Sequence, residues 1–267
     1  MDFKLPQRNE NSHKGTFGKV LNVSGSDYMP GAAILSSLAA LKIGCGYVFL
    51  ASSERVIDAA AAQTQNIVFV QLKDIQKHLA DSNVLLIGCG LSTSESAVEI
   101  FKNTISSAGN IRCVIDADGL NILSGFDDFK IPENSVLTPH PKEAARLLGV
   151  ETDMILSDIE YYAKEISEKY NCVTVLKSHH TIVCSKDLEI YINNTGNSAM
   201  AKAGSGDVLA GMIAGLLAQK CEPFYAAKLG VYLHGLAGDI AKNDLTSYGV
   251  MASDLVRYIS YAIKTLV

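Results

Sequence analysis

From Lys19 onward the chain alternates short runs rich in β-branched residues with longer segments that carry apolar residues at helical spacing. That alternation confines the fold to α/β architectures, because strands separated by whole helices pair in parallel and bury both faces of the sheet under those helices. Nine runs read as strands: 19–25, 46–52, 66–72, 83–90, 112–118, 134–140, 172–177, 180–185 and 189–193. Helices are predicted to begin near Pro30, Ser53, Asp74, Ser94, Asp118, Lys142 and Ser157, and three more to close the chain at about 206–219, 222–243 and 251–265. The last three strands are too close together for parallel crossovers, which take about a dozen residues. They are predicted to pair antiparallel at one edge of a mostly parallel sheet, giving a three-layer αβα fold. No linker, internal repeat or low-complexity block interrupts the pattern, so 1–267 reads as a single domain behind a short polar extension at 1–12.

Composition narrows the function. With 48% hydrophobic and 19% charged residues the chain fills a substantial core, and its net charge of -5 argues against nucleic-acid or anionic-membrane partners. The opening MDFKLPQRNENSHKG lacks the apolar stretch of a signal peptide, and no apolar segment approaches the roughly 20 residues of a membrane span, so the expected compartment is the cytoplasm. Six cysteines, scattered without metal-ligand spacing, read as reduced core thiols.

In an open α/β sheet the crevice lies beyond the carboxyl ends of the strands, and the unusual residues of this chain fall there. SGSDYMPGAA follows the first strand, its Gly31-Ala32-Ala33 suiting either a ligand close to a helix start or tight helix–sheet packing. IGCGL follows the fourth, where Gly88 and Gly90 fit a turn as readily as a binding loop. Asp116 and Asp118 end the fifth strand, a pair suited to hydrated Mg²⁺ unless Asp118 only caps a helix. In Thr138-Pro139-His140-Pro141-Lys142-Glu143 two prolines stiffen the backbone around His140, while Glu143 suits compensation of a helix dipole. Lys177-Ser178-His179-His180-Thr181 forms a hairpin that serves a ligand or merely solubility. The strongest signal is AGSGDVLAGMIAGLLA, in which Gly204, Ser205 and Gly206 lead into Asp207 and a helix with almost no polar face. Unpaired N–H groups and the positive dipole end there invite an anion, with Asp207 placed to take a proton from an attacking hydroxyl. A plain N-cap accounts for Asp207 but not for the glycines around it.

Together the segments SHKGTFGKVLNVSGSDYMPGAA, GCGL, LTPHPKEAARLLG, LKSHHT and TGNSAMAKAGSGDVLAG resemble the ADP-dependent NAD(P)H-hydrate dehydratases, carbohydrate-kinase-related members of the ribokinase-like superfamily, over nearly the whole chain. The resemblance implies a ribokinase-like fold and repair of the (S)-form of C6-hydrated NADH or NADPH, the hydroxyl being phosphorylated from ADP and phosphate then eliminated, with AMP as the other product. It implies Asp207 as the catalytic residue and Gly204, Ser205 and Gly206 as the anion hole. Ala32, Gly90, His140 and Asp207 are then expected at the hydrated dinucleotide, and Lys177, Ser178, His179, His180, Thr181 and Gly206 at the nucleotide. Mg²⁺ is the expected cofactor, with Glu143 reaching it through water, and ADP the co-substrate. A homotetramer is expected by the same resemblance, as is functional pairing with a separate epimerase, since the epimerase domain that precedes many bacterial members is not expected in this chain. Four motifs depart from the family pattern: KSHHT for KGxxT, AGSGD for GGTGD, GCGL for GPGL and TPHPKE for TPHPGE. A small-molecule kinase of the same fold, of hydroxymethylpyrimidine or thiazole type, and a non-catalytic nucleotide-binding regulator are the competing readings.

Overall fold

The computed structural model describes residues 3–267. Its first half builds β1 (Lys19–Val23), α1 (Pro30–Lys42), β2 (Tyr47–Ser52), α2 (Glu54–Ala61), β3 (Val68–Gln71), α3 (Ile75–Ala80), β4 (Val84–Ile87), α4 (Glu95–Ser106), β5 (Arg112–Ile115) and α5 (Asp118–Leu123). The second half follows with β6 (Val136–Leu137), α6 (Pro141–Leu148), α7 (Thr152–Ser157), α8 (Ile159–Tyr170), β7 (Val173–Leu176), β8 (Ile182–Cys184) and β9 (Ile190–Ile192). Three helices end the chain: α9 (Ser205–Ala218), α10 (Pro223–Gly249), broken at Thr246, and α11 (Ala252–Lys264).

One nine-stranded sheet runs in the order β3-β2-β1-β4-β5-β6-β7-β8-β9. Every pairing from β3 to β7 is parallel, and β8 and β9 add antiparallel, as the short spacings at 172–193 require. Successive strand residues point to opposite faces and so enter different cores. Val20, Val84, Leu86, Val114 and Val175 pack under α1, α9, α10 and α11, whereas Leu21, Leu85, Ile87, Ile115 and Leu137 pack under α3 to α8.

The strands are shorter than the apolar runs that signal them. The run 134–140 pairs only at Val136–Leu137, because its Pro-rich second half leaves the sheet to start α6. The helix expected from Ser157 is α8, and a further short helix, α7, precedes it; the two are separated at Asp158, whose carboxylate caps α8 by accepting from the Tyr161 N–H. The polar opening segment is fastened to the fold: Phe3 is buried among Tyr191, Tyr225 and Tyr232, and the Arg8 guanidinium lies 3.6 Å over the Phe17 ring. Among the described residues no helix is long and apolar enough to cross a membrane.

Helix α9 is buried from Val208 to Ala218 and lies directly against α1. Its internal glycines are the reason it can. A methyl on Gly211 would overlap the Ser36 carbonyl of α1, and one on Gly215 would stand 2.6 Å from the Ala40 carbonyl oxygen. Gly211→Ala is therefore expected to push the two helices apart and cost about 1–3 kcal/mol, the usual range for overpacking. Chemical denaturation measures this, and an unchanged midpoint would show that the helix pair has slack.

Candidate active site

Sheet order reverses between β1 and β4, and the loops leaving these strands are tied together by a 2.8 Å bond from the Gly25 N–H to the Cys89 carbonyl. This switch point is where an open α/β sheet has its crevice. Ala32, in the first turn of α1, and Gly90, after β4, meet there: a side chain on Gly90 would stand 2.8 Å from the Ala32 Cβ.

The start of α9 faces the same end of the sheet. Gly204 has φ 91°, and a side chain on it would lie 2.6 Å from Leu35 and 2.9 Å from Ala252, so only glycine makes this turn. The first backbone bond of the helix runs from the Val208 N–H to the Gly204 carbonyl, leaving the Gly206 and Asp207 N–H groups among the free donors of a helix start. The incoming loop is braced by Asp239 of α10, which accepts from the Gly196 N–H at 3.0 Å and the Asn197 side chain at 2.8 Å. Behind Ser205 its hydroxyl lies 3.4 Å from Nε2 of buried His234. Burial pulls the His234 pKa down to about 4, so it is neutral at physiological pH.

Lys177 belongs to this centre and not to the hairpin with which the sequence groups it. Its ammonium turns inward to Asp116 Oδ1 at 2.7 Å and Glu143 Oε2 at 3.9 Å, and a side chain on Gly206 would stand 3.3 Å from it. Burial alone would lower the Lys177 pKa, but the Asp116 and Glu143 charges outweigh it and raise the value. Asp116, almost fully buried, also accepts from the Thr138 hydroxyl at 2.6 Å. Burial first, and the Asp116 charge second, push the Asp207 carboxyl up to about 7, against smaller lowering effects from Cys89 and Lys177. A carboxyl poised there takes and returns a proton at neutral pH.

The neighbouring acid, Asp118, serves elsewhere. It accepts from the Ser92 N–H at 2.8 Å and the Asn121 amide at 3.3 Å, tying the loop after β4 to α5 instead of capping its own helix. His140 is held by more than its prolines. Its Nδ1 accepts from the Lys142 and Glu143 N–H groups, which places the proton on Nε2, 3.2 Å from Glu143 Oε1, while Glu143 Oε2 accepts from the His140 N–H. Burial and the nearby Lys177 charge lower the His140 pKa, so the half-buried ring stands as a neutral imidazole with Nδ1 engaged. Burial raises the Glu143 pKa.

Ser178 to Thr181 stay at the hairpin. Ser178 donates to the His180 carbonyl at 2.7 Å, Thr181 donates to the Ser178 carbonyl at 3.3 Å, and the exposed rings of His179 and His180 stack 4.4 Å apart. Ser178 does not have positive φ, so serine makes this turn without backbone strain. Cys89, His234 and Asp239 are site residues that sequence reasoning passed over. A histidine and an aspartate inside the small-residue, apolar helix pattern of α10 are the signal that could have found two of them.

The family model of the NAD(P)H-hydrate dehydratases matches residues 20–261. The ADP-dependent (S)-NAD(P)H-hydrate dehydratase of Neisseria meningitidis serogroup B is 39% identical, the match covering 97% of this chain and 88% of that protein. The bifunctional NAD(P)H-hydrate repair enzyme of Moorella thermoacetica is 38% identical over 98% of this chain, which spans about half the length of that relative (52%). The ADP/ATP-dependent NAD(P)H-hydrate dehydratase from Bacillus subtilis, co-crystallized with ATP/Mg²⁺, superposes with a TM-score of 0.89 at 32% identity, covering 98% of this chain and 95% of that one. By the extent of these matches, and with a fold of the ribokinase-like kind, the chain belongs to the NAD(P)H-hydrate dehydratase family.

Proposed function

We propose that this protein is an ADP-dependent (S)-NAD(P)H-hydrate dehydratase, returning C6-hydrated NADH or NADPH to the intact cofactor with release of AMP and phosphate. The observation that carries the reading is Asp207: a carboxyl with its pKa near 7 at the mouth of a glycine-built helix start, beside Lys177. In this reading Asp207 takes the proton of the substrate hydroxyl, whose oxygen attacks the terminal phosphorus of ADP as the bond to AMP breaks. Charge developing on the transferred group is met by the N–H groups of Gly206 and Asp207, with Gly204 and Ser205 setting the turn and Lys177 supplying a cation. Phosphate then leaves C6 while the adjacent carbon gives up a proton, restoring the ring double bond. Hydroxide leaves poorly and phosphate well, which is what the nucleotide contributes.

Ala32, Gly90 and His140 would contact the hydrated dinucleotide, and Ser178, His179, His180 and Thr181 the adenine nucleotide. The residues suit Mg²⁺: Glu143 Oε2 accepts from the His140 N–H and Oε1 stands 3.2 Å from its Nε2, so Glu143 would hold the ion through water, a usual mode for a cation that keeps several of its own waters. When bound, it would neutralise nucleotide phosphate charge. The full proposal places the protein in the cytoplasm as a homotetramer working beside an NAD(P)H-hydrate epimerase. The bifunctional names of the longer relatives and exposed apolar residues such as Tyr28, Tyr248 and Met251 support the last two points.

The test mixes the protein with hydrated NADH, Mg²⁺ and ADP or ATP at matched concentrations. Reduced nicotinamide absorbance is expected to return, faster with ADP, with AMP and phosphate formed together. A phosphoester that accumulates from a vitamin precursor, without repair, would instead identify a small-molecule kinase. Equal or faster repair with ATP would overturn the nucleotide preference.

A further inference from the structure

At the centre of the site a thiol is wedged against two carboxylates. Cys89 Sγ is 3.7 Å from Asp116 Oδ2, and the sulfur and one oxygen from each of Asp116 and Asp207 lie within 4.8 Å of one another. Cys89 is fully buried, and its backbone is fixed by the bond its carbonyl accepts from Gly25 and by positive φ at Gly88 and Gly90 on either side.

We propose that Cys89 is a positioning residue for the reaction proposed above, its S–H donating into the Asp116/Asp207 pair so that Asp116 stays with Lys177 and Asp207 stays open to the substrate hydroxyl. The hydrogen bonds favour this assignment. Asp116 Oδ1 already accepts from Thr138 and Lys177, whereas Oδ2 is turned toward Cys89 and Gly206. The Cys89 S–H is the side-chain donor that reaches Oδ2 among the described residues. Burial first, then the charges of Asp207 and Asp116, hold the Cys89 thiol well above its ordinary pKa, so it keeps the proton it donates and does not act as a nucleophile. A neutral donor between two like charges eases their repulsion and lets the second ionise at lower pH. Asp207 is faced by Asp116 after β5, Lys177 after β7, Asp118 at the start of α5 and Cys89 after β4. His234 of α10 stands behind Ser205, and Glu143 of α6 and His140, which caps that helix, act through Lys177. Against the same helix start α1 and α11 bring Leu35 and Ala252, which do not titrate.

The inference depends on the dehydratase reading for its reaction, but the ionisation of Asp207 can be measured without any turnover. The experiment follows the ¹³C carboxyl resonance of Asp207, identified by its loss in Asp207→Asn, through a pH titration of the ligand-free wild type, Cys89→Ala and Cys89→Ser. In parallel, the pH profile of kcat for repair of hydrated NADH is recorded. Removing the donor in Cys89→Ala is expected to move the Asp207 midpoint up by roughly half a unit or more, and the acid limb of kcat with it. Cys89→Ser keeps a donor, a stronger one, and its midpoint is expected at or below that of the wild type; this variant decides the matter if Cys89→Ala does not fold. A midpoint that moves in a protein without repair activity sustains the role of Cys89 and removes the dehydratase reading. Wild-type repair with an unmoved midpoint in Cys89→Ala, or a raised one in Cys89→Ser, overturns the inference about the thiol alone.

Discussion

Asp207→Asn is expected to lower repair of hydrated NADH by about 10²-fold or more, the scale of a lost general base, while ADP binding persists. Asparagine matches aspartate in size and caps a helix about as well, so the variant separates the two roles open to this position. If Asp207 is a cap alone, the amide leaves activity intact; if it is a base, the amide cannot accept the hydroxyl proton. In the wild type kcat should rise with pH through about 7, as Asp207 loses its proton, and in the variant that limb should vanish. Stability should move the other way. The folded pKa of Asp207 is raised from 3.8 to about 7, so its contribution to stability is fully present below 3.8 and is lost as pH rises through about 7. An amide carries no such penalty. Asp207→Asn should therefore unfold at higher denaturant than the wild type at pH 8, by up to a few kcal/mol given about 1.4 kcal/mol per pKa unit and partial solvent screening, with the gap closing toward pH 4. A variant less stable at pH 8 would remove the burial argument, and one that repairs at near wild-type rate would remove the catalytic role.

What the sequence made legible was what is local. Each strand carries its own β-branched run, and the separations between runs fixed which neighbours pair in parallel and which fold back at 172–193. Strand ends were overrun because apolar character continues past the last ladder bond: the run 112–118 stops pairing at Ile115, and Ala117 turns the chain at φ 50° before α5. Helix α7 was invisible because its six residues sit directly ahead of the stronger α8 pattern. In the site, the glycine turn, the helix start and Asp207 occupy consecutive positions and could be read together. The Asp116–Lys177 pair joins residues 61 apart in sequence, and no spacing rule links a strand-end acid to a hairpin lysine. Cys89 was absorbed into the apolar run of β4, since a buried thiol looks the same in sequence whether it packs against leucine or against two carboxylates.

That ion pair carries the second large expectation. Lys177→Met should destabilise the protein by about 3–5 kcal/mol near neutral pH, the cost of leaving a buried charge without its partner. The Asp116 side chain is 2% exposed, and without the ammonium 2.7 Å away it keeps, among the described residues, the Thr138 hydroxyl and the weak donor of Cys89. Methionine fills much of the lysine volume, so little of the loss should come from a cavity. The charge origin then has two signatures. Lowering the pH should shrink the deficit, because protonating the stranded carboxyl removes the buried charge, whereas a packing defect has no such dependence. Asp116→Asn in the Lys177→Met background should recover most of the stability, which a double-mutant cycle by denaturant unfolding would measure as a large coupling. Turnover should respond differently. The double variant still lacks a cation beside Gly206, so repair should remain poor even where stability returns. If Lys177→Met unfolds with the wild type at pH 8, the pair contributes no net stability; if the double variant also recovers repair, Lys177 matters only for holding Asp116, and the anion hole works without it.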